Sequence, residues 1–409
     1  MSVLEARPVN YRELMKKVEQ VVATIGGSKK IGETIHTVAA AIIGQLRPEL
    51  GIYGGRLYRR QGASYVLQAT FGEAKALPRG LEVPVTYPPV QIVLERGTAY
   101  MDADDPVVDP GLEAVLGVQG FAAIEVGEEE YLLAFNVEPG HHRDDVIVAL
   151  GILRHIINQK IREERLEGVF RQARKIQTSI LPRRVPLYGT FDLAGRAEPM
   201  ESVGGDFYDW IPITDKILGL AIADVSGHGL PAALQVRDIY MGLRMGMSRD
   251  LKIVRTIERM NNIIHKSTLT SRFVSMFYGE LELNGVCIYV NAGHPPPFHL
   301  AADGSHRFLE EGGPVLGPLA DATYERGFVT MRPGDMLVLY TDGIVEARGG
   351  GEKGHQEYGV ERLLATARGA QGRPAAAVVD AIFDSVAAWS GAAPPRDDRT
   401  VQVVVYPRG

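Results

Sequence analysis

The sequence of 409 residues has little cysteine and lacks a long apolar run. Its single cysteine, Cys287, excludes an intrachain disulfide and a cysteine-based zinc site, and it fits a reducing compartment. No apolar run approaches the roughly 20 residues that a membrane-spanning helix needs. The richest stretch, residues 146–157, is interrupted by a glycine, an arginine and a histidine. The first residues contain no cleavable leader pattern, and we therefore expect a soluble protein of the cytoplasm.

The chain also lacks an excess of basic charge. Lys and Arg number 44 against 50 Asp and Glu, which gives a formal net charge of −6. This balance provides no overall attraction to nucleic acid or to an anionic membrane, and neither is expected as a partner. What is present is an average share of apolar (45%) and charged (23%) residues, as in folded domains. The length predicts two or three folded units.

Residues 1–145 are predicted to form a first domain of the α+β class. Apolar residues at helical spacing predict helices over 11–25 and 31–46, with a Gly-Gly-Ser break at 26–28. Alternating runs predict five strands, over residues 51–58, 64–71, 81–85, 121–126 and 131–136. This element order resembles a GAF domain over about residues 10–160, which implies a sensor. A small-molecule pocket and a ligand-free dimerisation module stay open as alternatives, and the lack of cysteine there excludes a thioether-linked bilin.

A helical linker is predicted over residues 146–184. Residues 143–180 contain no proline, and Pro182 ends the helix. Apolar residues recur at steps of three and four, the a/d rhythm of a coiled coil, at Leu166, Val169, Ala173, Ile176 and Ile180. We expect this narrow stripe to form a parallel dimer helix and the protein to be a homodimer. The alternative is an amphipathic helix that packs on its own domain.

Residues 185–409 are predicted to form a second domain, in which aspartates stand at the ends of apolar strands. Strands are predicted over residues 190–197, 216–225, 273–283, 286–291, 326–331, 335–340 and 400–406, and helices over 231–247, 251–267, 360–367 and 374–389. One aspartate in such a place is usually a turn residue, but four in one domain indicate a shared site. Converging carboxylates repel each other unless a cation neutralises them. Hard oxygen ligands select Mg²⁺ or Mn²⁺.

Five motifs occur in order in this part of the chain. They are Gly204-Gly205-Asp206-Phe207-Tyr208-Asp209, Asp224-Val225-Ser226-Gly227-His228-Gly229, Asn291-Ala292-Gly293-His294-Pro295, Thr341-Asp342-Gly343 and Asp397-Asp398-Arg399-Thr400. Together they resemble the SpoIIE-like and RsbU-like serine phosphatases, which belong to the metal-dependent type 2C (PPM) protein phosphatases. The resemblance covers about residues 180–409. It implies an α-β-β-α sandwich of two packed, mostly antiparallel sheets flanked by helices.

The resemblance also implies a centre of two Mn²⁺ or Mg²⁺ ions. The implied metal ligands are Asp206, Asp224, the carbonyl of Val225, Asp342, Asp397 and, next to it, Asp398. In this scheme Asp206 and Asp224 hold the metal pair and activate a water. A hydroxide formed between two cations attacks phosphoserine or phosphothreonine directly, so no cysteine nucleophile is needed. The histidines at 228 and 294 are predicted to shape or pack the turns in which they lie.

Two positions depart from the wider type 2C pattern. Many eukaryotic members have a histidine two residues after the second-motif aspartate and an arginine five residues before the first-motif aspartate. Here those positions are Ser226 and Glu201, so the general acid and the phosphate clamp stay unassigned. The resemblance implies a signalling phosphatase for a phosphorylated anti-anti-sigma (STAS-type) protein under control of the sensor. The alternatives are a catalytically weak phosphoprotein-binding regulator and a metallohydrolase for small phosphate esters.

Overall fold

The computed structural model describes residues 11–23, 31–75, 77–78, 80–102, 104–117, 120–182, 184–246, 252–266, 273–350 and 355–408. The predicted break at 26–28 and the junction between the helices predicted over 231–247 and 251–267 lie outside these ranges. Within them, no helix is both long and apolar enough to cross a membrane. The chain divides into two compact units, residues 1–168 and 169–409.

The first unit contains an antiparallel sheet of six strands in the order β3-β2-β1-β6-β5-β4. Its elements are α1 (Tyr11–Ala23), α2 (Ile31–Leu50), β1 (Ile52–Gln61), β2 (Ser64–Gly72), β3 (Glu82–Pro84), α3 (Pro88–Arg96), β4 (Thr98–Asp102), α4 (Pro110–Leu116), β5 (Gly120–Val126), β6 (Tyr131–Val137) and α5 (Arg143–Ile180). One sheet face packs on α1, α2 and the first half of α5. The other face packs on α3 and the α4 segment. All five predicted strands form, whereas α3, β4 and α4 were not predicted.

Helix α5 ends at Ile180, just before Pro182, as the sequence predicts. In the first unit, its apolar residues from Val146 to Ile161 are buried against the sheet, so this part of the predicted linker packs on its own domain. Farther along, three residues of the predicted coiled-coil stripe, Leu166, Val169 and Ile176, are 60%, 51% and 52% exposed. Ile180 does not extend the exposed stripe, because it is buried in the core of the second unit.

The second unit is built from two sheets, one in the order β14-β11-β10-β9-β8 with β15 paired to β11, the other in the order β13-β12-β16-β17-β7. The strands are β7 (Asp192–Glu198), β8 (Asp206–Thr214), β9 (Ile217–Val225), β10 (Val274–Glu282), β11 (Val286–Ala292), β12 (Phe298–Leu300), β13 (His306–Phe308), β14 (Gly312–Gly313), β15 (Gly327–Thr330), β16 (Met336–Tyr340) and β17 (Arg399–Val405). The helices are α6 (Leu230–Gly246), α7 (Ile253–Lys266), α8 (Asp342–Val345), α9 (Val360–Gly369) and α10 (Ala375–Ser390).

Three apolar layers hold this unit together. Helices α6 and α7 cover the outer face of the first sheet, and α9 and α10 cover the outer face of the second. Between the sheets lies a layer that includes Trp210, Phe277, Tyr289, Leu337 and Val404. The expected α-β-β-α sandwich is therefore confirmed. Cys287 is buried in the middle layer, where burial raises the pKa of its thiol to about 12, so it stays protonated and is not a nucleophile.

Candidate functional site

Two predicted site residues are brought together by the hairpin of β8 and β9. Asp206, the first residue of β8, pairs directly with Asp224, near the end of β9. Residues in this relation have Cβ atoms about 4.5–5.5 Å apart on the same face. Asp206 lies two residues from Tyr208, and Asp224 lies two residues from Ile222, so each acid shares a sheet face with that neighbour. Because Tyr208 and Ile222 lie between the sheets, both carboxylates lie on the inter-sheet face, at one end of the hairpin. Two acids paired in this way repel each other unless a cation lies between them.

Asp206 is held by the second sheet. Its Oδ2 accepts hydrogen bonds from the hydroxyls of Thr341 (2.8 Å) and Thr400 (2.6 Å). The Thr400 amide donates in turn to the Thr341 hydroxyl at 2.9 Å, and both threonines are fully buried. No described residue donates a hydrogen bond to the other oxygen, Oδ1. One oxygen is thus fixed in orientation while the other is left for a ligand.

Asp398 holds the loop that leads into Asp206. Its Oδ1 accepts from the Met200 amide (2.7 Å) and its Oδ2 from the Gly205 amide (2.5 Å). A Cβ on Gly204 would collide with this carboxylate, so only glycine allows the approach. The loop is also bound from the last turn of α5, where the side-chain amide of Gln177 accepts from the Gly204 N–H (3.1 Å) and donates to the Gly204 carbonyl.

Asp342 and Asp397 reach the same region from the second sheet. Asp342 starts the short helix α8, directly after β16. A Cβ on the next residue, Gly343, would collide with the carbonyl of Asp398, so these two loops are in close backbone contact. Asp397 is exposed, and its Oδ1 accepts from the Asp398 amide at 2.9 Å.

The electrostatics show that these acids share one environment. Burial, followed by the charge of Asp224, raises the pKa of Asp206 well above its ordinary value. Burial and the neighbouring acids, led by Asp342 and Asp397, raise the pKa of Asp224 to about 7. For the same reasons the pKa of Asp342 rises to about 6, with Asp397 and Glu346 as the contributing charges. Glu346 was not singled out from the sequence, although its position four residues after Asp342 places it one helical turn away.

The donor set fits a hard dication. Among the described residues, no three carboxylate, histidine or cysteine groups already lie at ligating distance from one point. The acids nevertheless raise each other's pKa, which means that their charges are not compensated. A divalent cation would remove this repulsion, and oxygen donors without cysteine suit Mg²⁺ or Mn²⁺.

The remaining motif residues stabilise turns. His294 is buried, its Nδ1 lies 3.0 Å from the Ser275 hydroxyl, and burial lowers its pKa to about 3. The side chain of Asn291 donates to the His294 carbonyl at 3.0 Å, so this motif is a rigid strand exit, as predicted. His228 lies on the surface with its Nδ1 2.9 Å from Glu201 Oε1. Ser226 accepts a hydrogen bond from the Phe273 amide at 3.0 Å.

A pocket lined by both arginines and acids adjoins Asp397 and was not expected from the sequence. It has a volume of about 430 Å³, and its charged lining consists of Arg348, Arg396 and Arg399 and of the acids Glu346, Glu357 and Asp397. Burial lowers the pKa of Arg399, and its Nε is buried without a hydrogen-bond partner among the described residues. The arginines of this mixed-charge pocket offer donors that can pair with an anion. The Arg-Asp-Asp-Arg run at 396–399 was the available sequence signal.

The second unit is similar to known proteins. Residues 214–407 match the family Stage II sporulation protein E (SpoIIE). Protein IcfG of Synechocystis is 28% identical over 279 residues, which cover 60% of this chain and 43% of that protein. Phosphoserine phosphatase RsbU of Bacillus subtilis is 29% identical over 194 residues, covering 47% of this chain and 56% of that protein. The chain thus spans about half the length of the curated relatives it matches.

A solved structure shows the same fold. The SiaA-PP2C domain of Pseudomonas aeruginosa superposes with a TM-score of 0.53 at 19% identity, covering 59% of this chain and 97% of that chain. The second unit therefore matches the SpoIIE family model over residues 214–407 and has the fold of the SiaA-PP2C domain.

Proposed function

We propose that the chain is a metal-dependent serine/threonine protein phosphatase that acts in signalling. The observation that carries this proposal is the direct pairing of Asp206 with Asp224, surrounded by further acids that raise their pKa values. The similarity to phosphoserine phosphatases RsbU and RsbP of Bacillus subtilis supports it.

The proposed cofactor is a pair of Mn²⁺ or Mg²⁺ ions. The proposed ligands are Asp206, Asp224, the carbonyl of Val225, Asp342, Asp397 and Asp398. When bound, such a pair activates a water and offsets the charge of the phosphate. The chain itself orients the ligands, because Thr341 and Thr400 fix one oxygen of Asp206 and leave Oδ1 for the metal. Asp398 is the least available ligand of this set, because both of its oxygens already accept hydrogen bonds from backbone N–H groups.

The arginines of the pocket beside Asp397 are proposed to anchor the phosphorylated segment of the substrate. Position 201 cannot hold the phosphate, because it is a glutamate that pairs with His228. Arg348, Arg396 and Arg399 supply the positive charge instead. Arginine suits this role because its guanidinium group pairs with phosphate through two parallel hydrogen bonds.

The proposed substrate is a phosphorylated anti-anti-sigma protein of the STAS type. In this proposal, residues 1–145 are a GAF-like sensor, 146–184 a coiled-coil linker of a homodimer, and 185–409 the phosphatase domain, all in the cytoplasm. The exposed apolar side chains of Leu166, Val169 and Ile176 support the dimer, because a partner helix would cover them. The contact of Gln177 with Gly204 offers a route from α5 to the loop before Asp206.

The test is phosphate release by the full chain from phosphorylated STAS-domain proteins of its own proteome, with Mn²⁺ or with chelator. We expect turnover only with Mn²⁺, a loss of at least 100-fold in Asp342→Asn, and no change in Asp215→Asn, a matched exposed control in the β8–β9 turn. Binding of the phosphoproteins without turnover would favour the phosphoprotein-binding regulator. Fast turnover of p-nitrophenyl phosphate without preference for a phosphoprotein would favour the small-ester hydrolase.

A further inference from the structure

The first unit contains an apolar cavity on the sheet face that α3 and α4 cover. Aromatic and aliphatic side chains from the sheet and from both helices line it, among them Tyr65, Val90, Leu112, Phe121 and Leu132. The cavity leaves about 60 Å³ open to the centres of water molecules, which is more than a single water needs. It is too small for a nucleotide and suits a compact molecule with an aromatic body.

A buried arginine lies in the wall of this cavity. Arg56, on β1, is 2% exposed and is the only charged residue among the described residues that line the cavity. Its Nη1 donates to Asn136 Oδ1 at 3.1 Å and its Nη2 to the Leu116 carbonyl at 2.6 Å. Both acceptors are neutral. Its Nε is buried and has no hydrogen-bond partner within the described part of the chain.

Burial of the Arg56 guanidinium group with only neutral acceptors costs the protein free energy of folding when no ligand is bound. A buried charge is normally paired with an opposite charge, because neutral acceptors replace only part of its lost hydration. Among the described residues, no carboxylate forms an ion pair with Arg56; Glu125, a buried acid of the same sheet, pairs with Arg154. The cavity therefore presents an uncompensated positive charge and an unused N–H donor within an apolar wall.

We propose that this cavity binds a small aromatic carboxylate whose carboxylate group pairs with Arg56. The planar guanidinium matches a carboxylate through two parallel hydrogen bonds, and the ring of the ligand packs against the apolar lining of the cavity. This inference concerns the first unit and does not depend on the phosphatase activity proposed for the second.

The experiment is calorimetric titration of the full chain with benzoate and with its neutral isostere benzamide. We expect saturable binding of benzoate that is at least tenfold tighter than binding of benzamide, since only benzoate supplies the charge. Arg56→Met should weaken the binding of benzoate at least tenfold. The matched control Arg59→Met removes an exposed arginine of the same strand and should leave the affinity unchanged.

A second variant keeps the test valid if Arg56→Met does not fold. Ala134→Leu retains the arginine but fills the cavity that Ala134 lines, and it should abolish binding of both compounds while the chain stays folded. Equal affinities for benzoate and benzamide would overturn the proposal. The absence of saturable benzoate binding up to 10 mM, or full affinity in either cavity variant, would overturn it as well.

Discussion

Removing one acid of the Asp206–Asp224 pair should stabilise the metal-free protein at neutral pH. The pKa of Asp224 is raised from 3.8 to about 7, by burial first and then by the neighbouring acids. A carboxyl whose pKa is raised on folding contributes stability that is fully present below pH 4 and is lost as the pH rises through about 7. This shift in the pKa of Asp224 from 3.8 to about 7 corresponds to about 4 kcal/mol of unfolding free energy. The Asp224→Asn variant has no such loss. We therefore expect its free energy of unfolding to exceed that of the wild type by about 2 to 4 kcal/mol at pH 8 and to equal it near pH 4.

The assay is urea unfolding in chelator at pH 4.5 and pH 8, with Asp215→Asn as the matched control. That control changes an exposed acid at the other end of the same hairpin and should shift stability by less than about 0.5 kcal/mol at either pH. Added Mn²⁺ should reverse the order, because the cation favours the charged carboxylate that only the wild type has. A difference between Asp224→Asn and wild type that is independent of pH would refute the reasoning, as would a variant less stable than wild type at pH 8 in chelator.

Three further predictions concern the residues around the acids. Gln177→Ala leaves the buried N–H and C=O of Gly204 without the hydrogen-bond partners that Gln177 supplies. It should therefore lower the free energy of unfolding by about 1 to 3 kcal/mol and weaken Mn²⁺ binding in calorimetry. The control Gln172→Ala, at an exposed position of the same helix, should change neither quantity. Thr400→Val keeps the shape but removes a donor to Asp206, and it should weaken Mn²⁺ binding several-fold; unchanged affinity would contradict the orienting role. Ile176→Asp places a charge on the exposed stripe of α5 and should dissociate the proposed dimer in light scattering, with little change in the unfolding midpoint. A wild type that is already monomeric would refute the dimer.

The elements that form from local pattern were predictable from the sequence. All five strands predicted in the first unit and the end of α5 before Pro182 are found, because strand alternation and proline act over a few residues. Strand β8 was not predicted, since Asp209 and Pro212 interrupt its apolar run. In the fold Asp209 pairs with Arg244 of α6 at 2.8 Å, which lets an acid lie within a buried strand.

The motif order in the sequence predicted the candidate site, whereas the tertiary structure decided how its residues are arranged. The register of the β8–β9 hairpin places Asp206 opposite Asp224, and the packing of the second sheet brings in Thr341 and Thr400 from 135 and 194 residues away. Gln177 and Glu346 belong to no sequence motif, and of the arginines that line the pocket beside Asp397 only Arg399 does. Their roles depend on contacts between distant segments, and such contacts are set by how the sheets pack rather than by any local period in the chain.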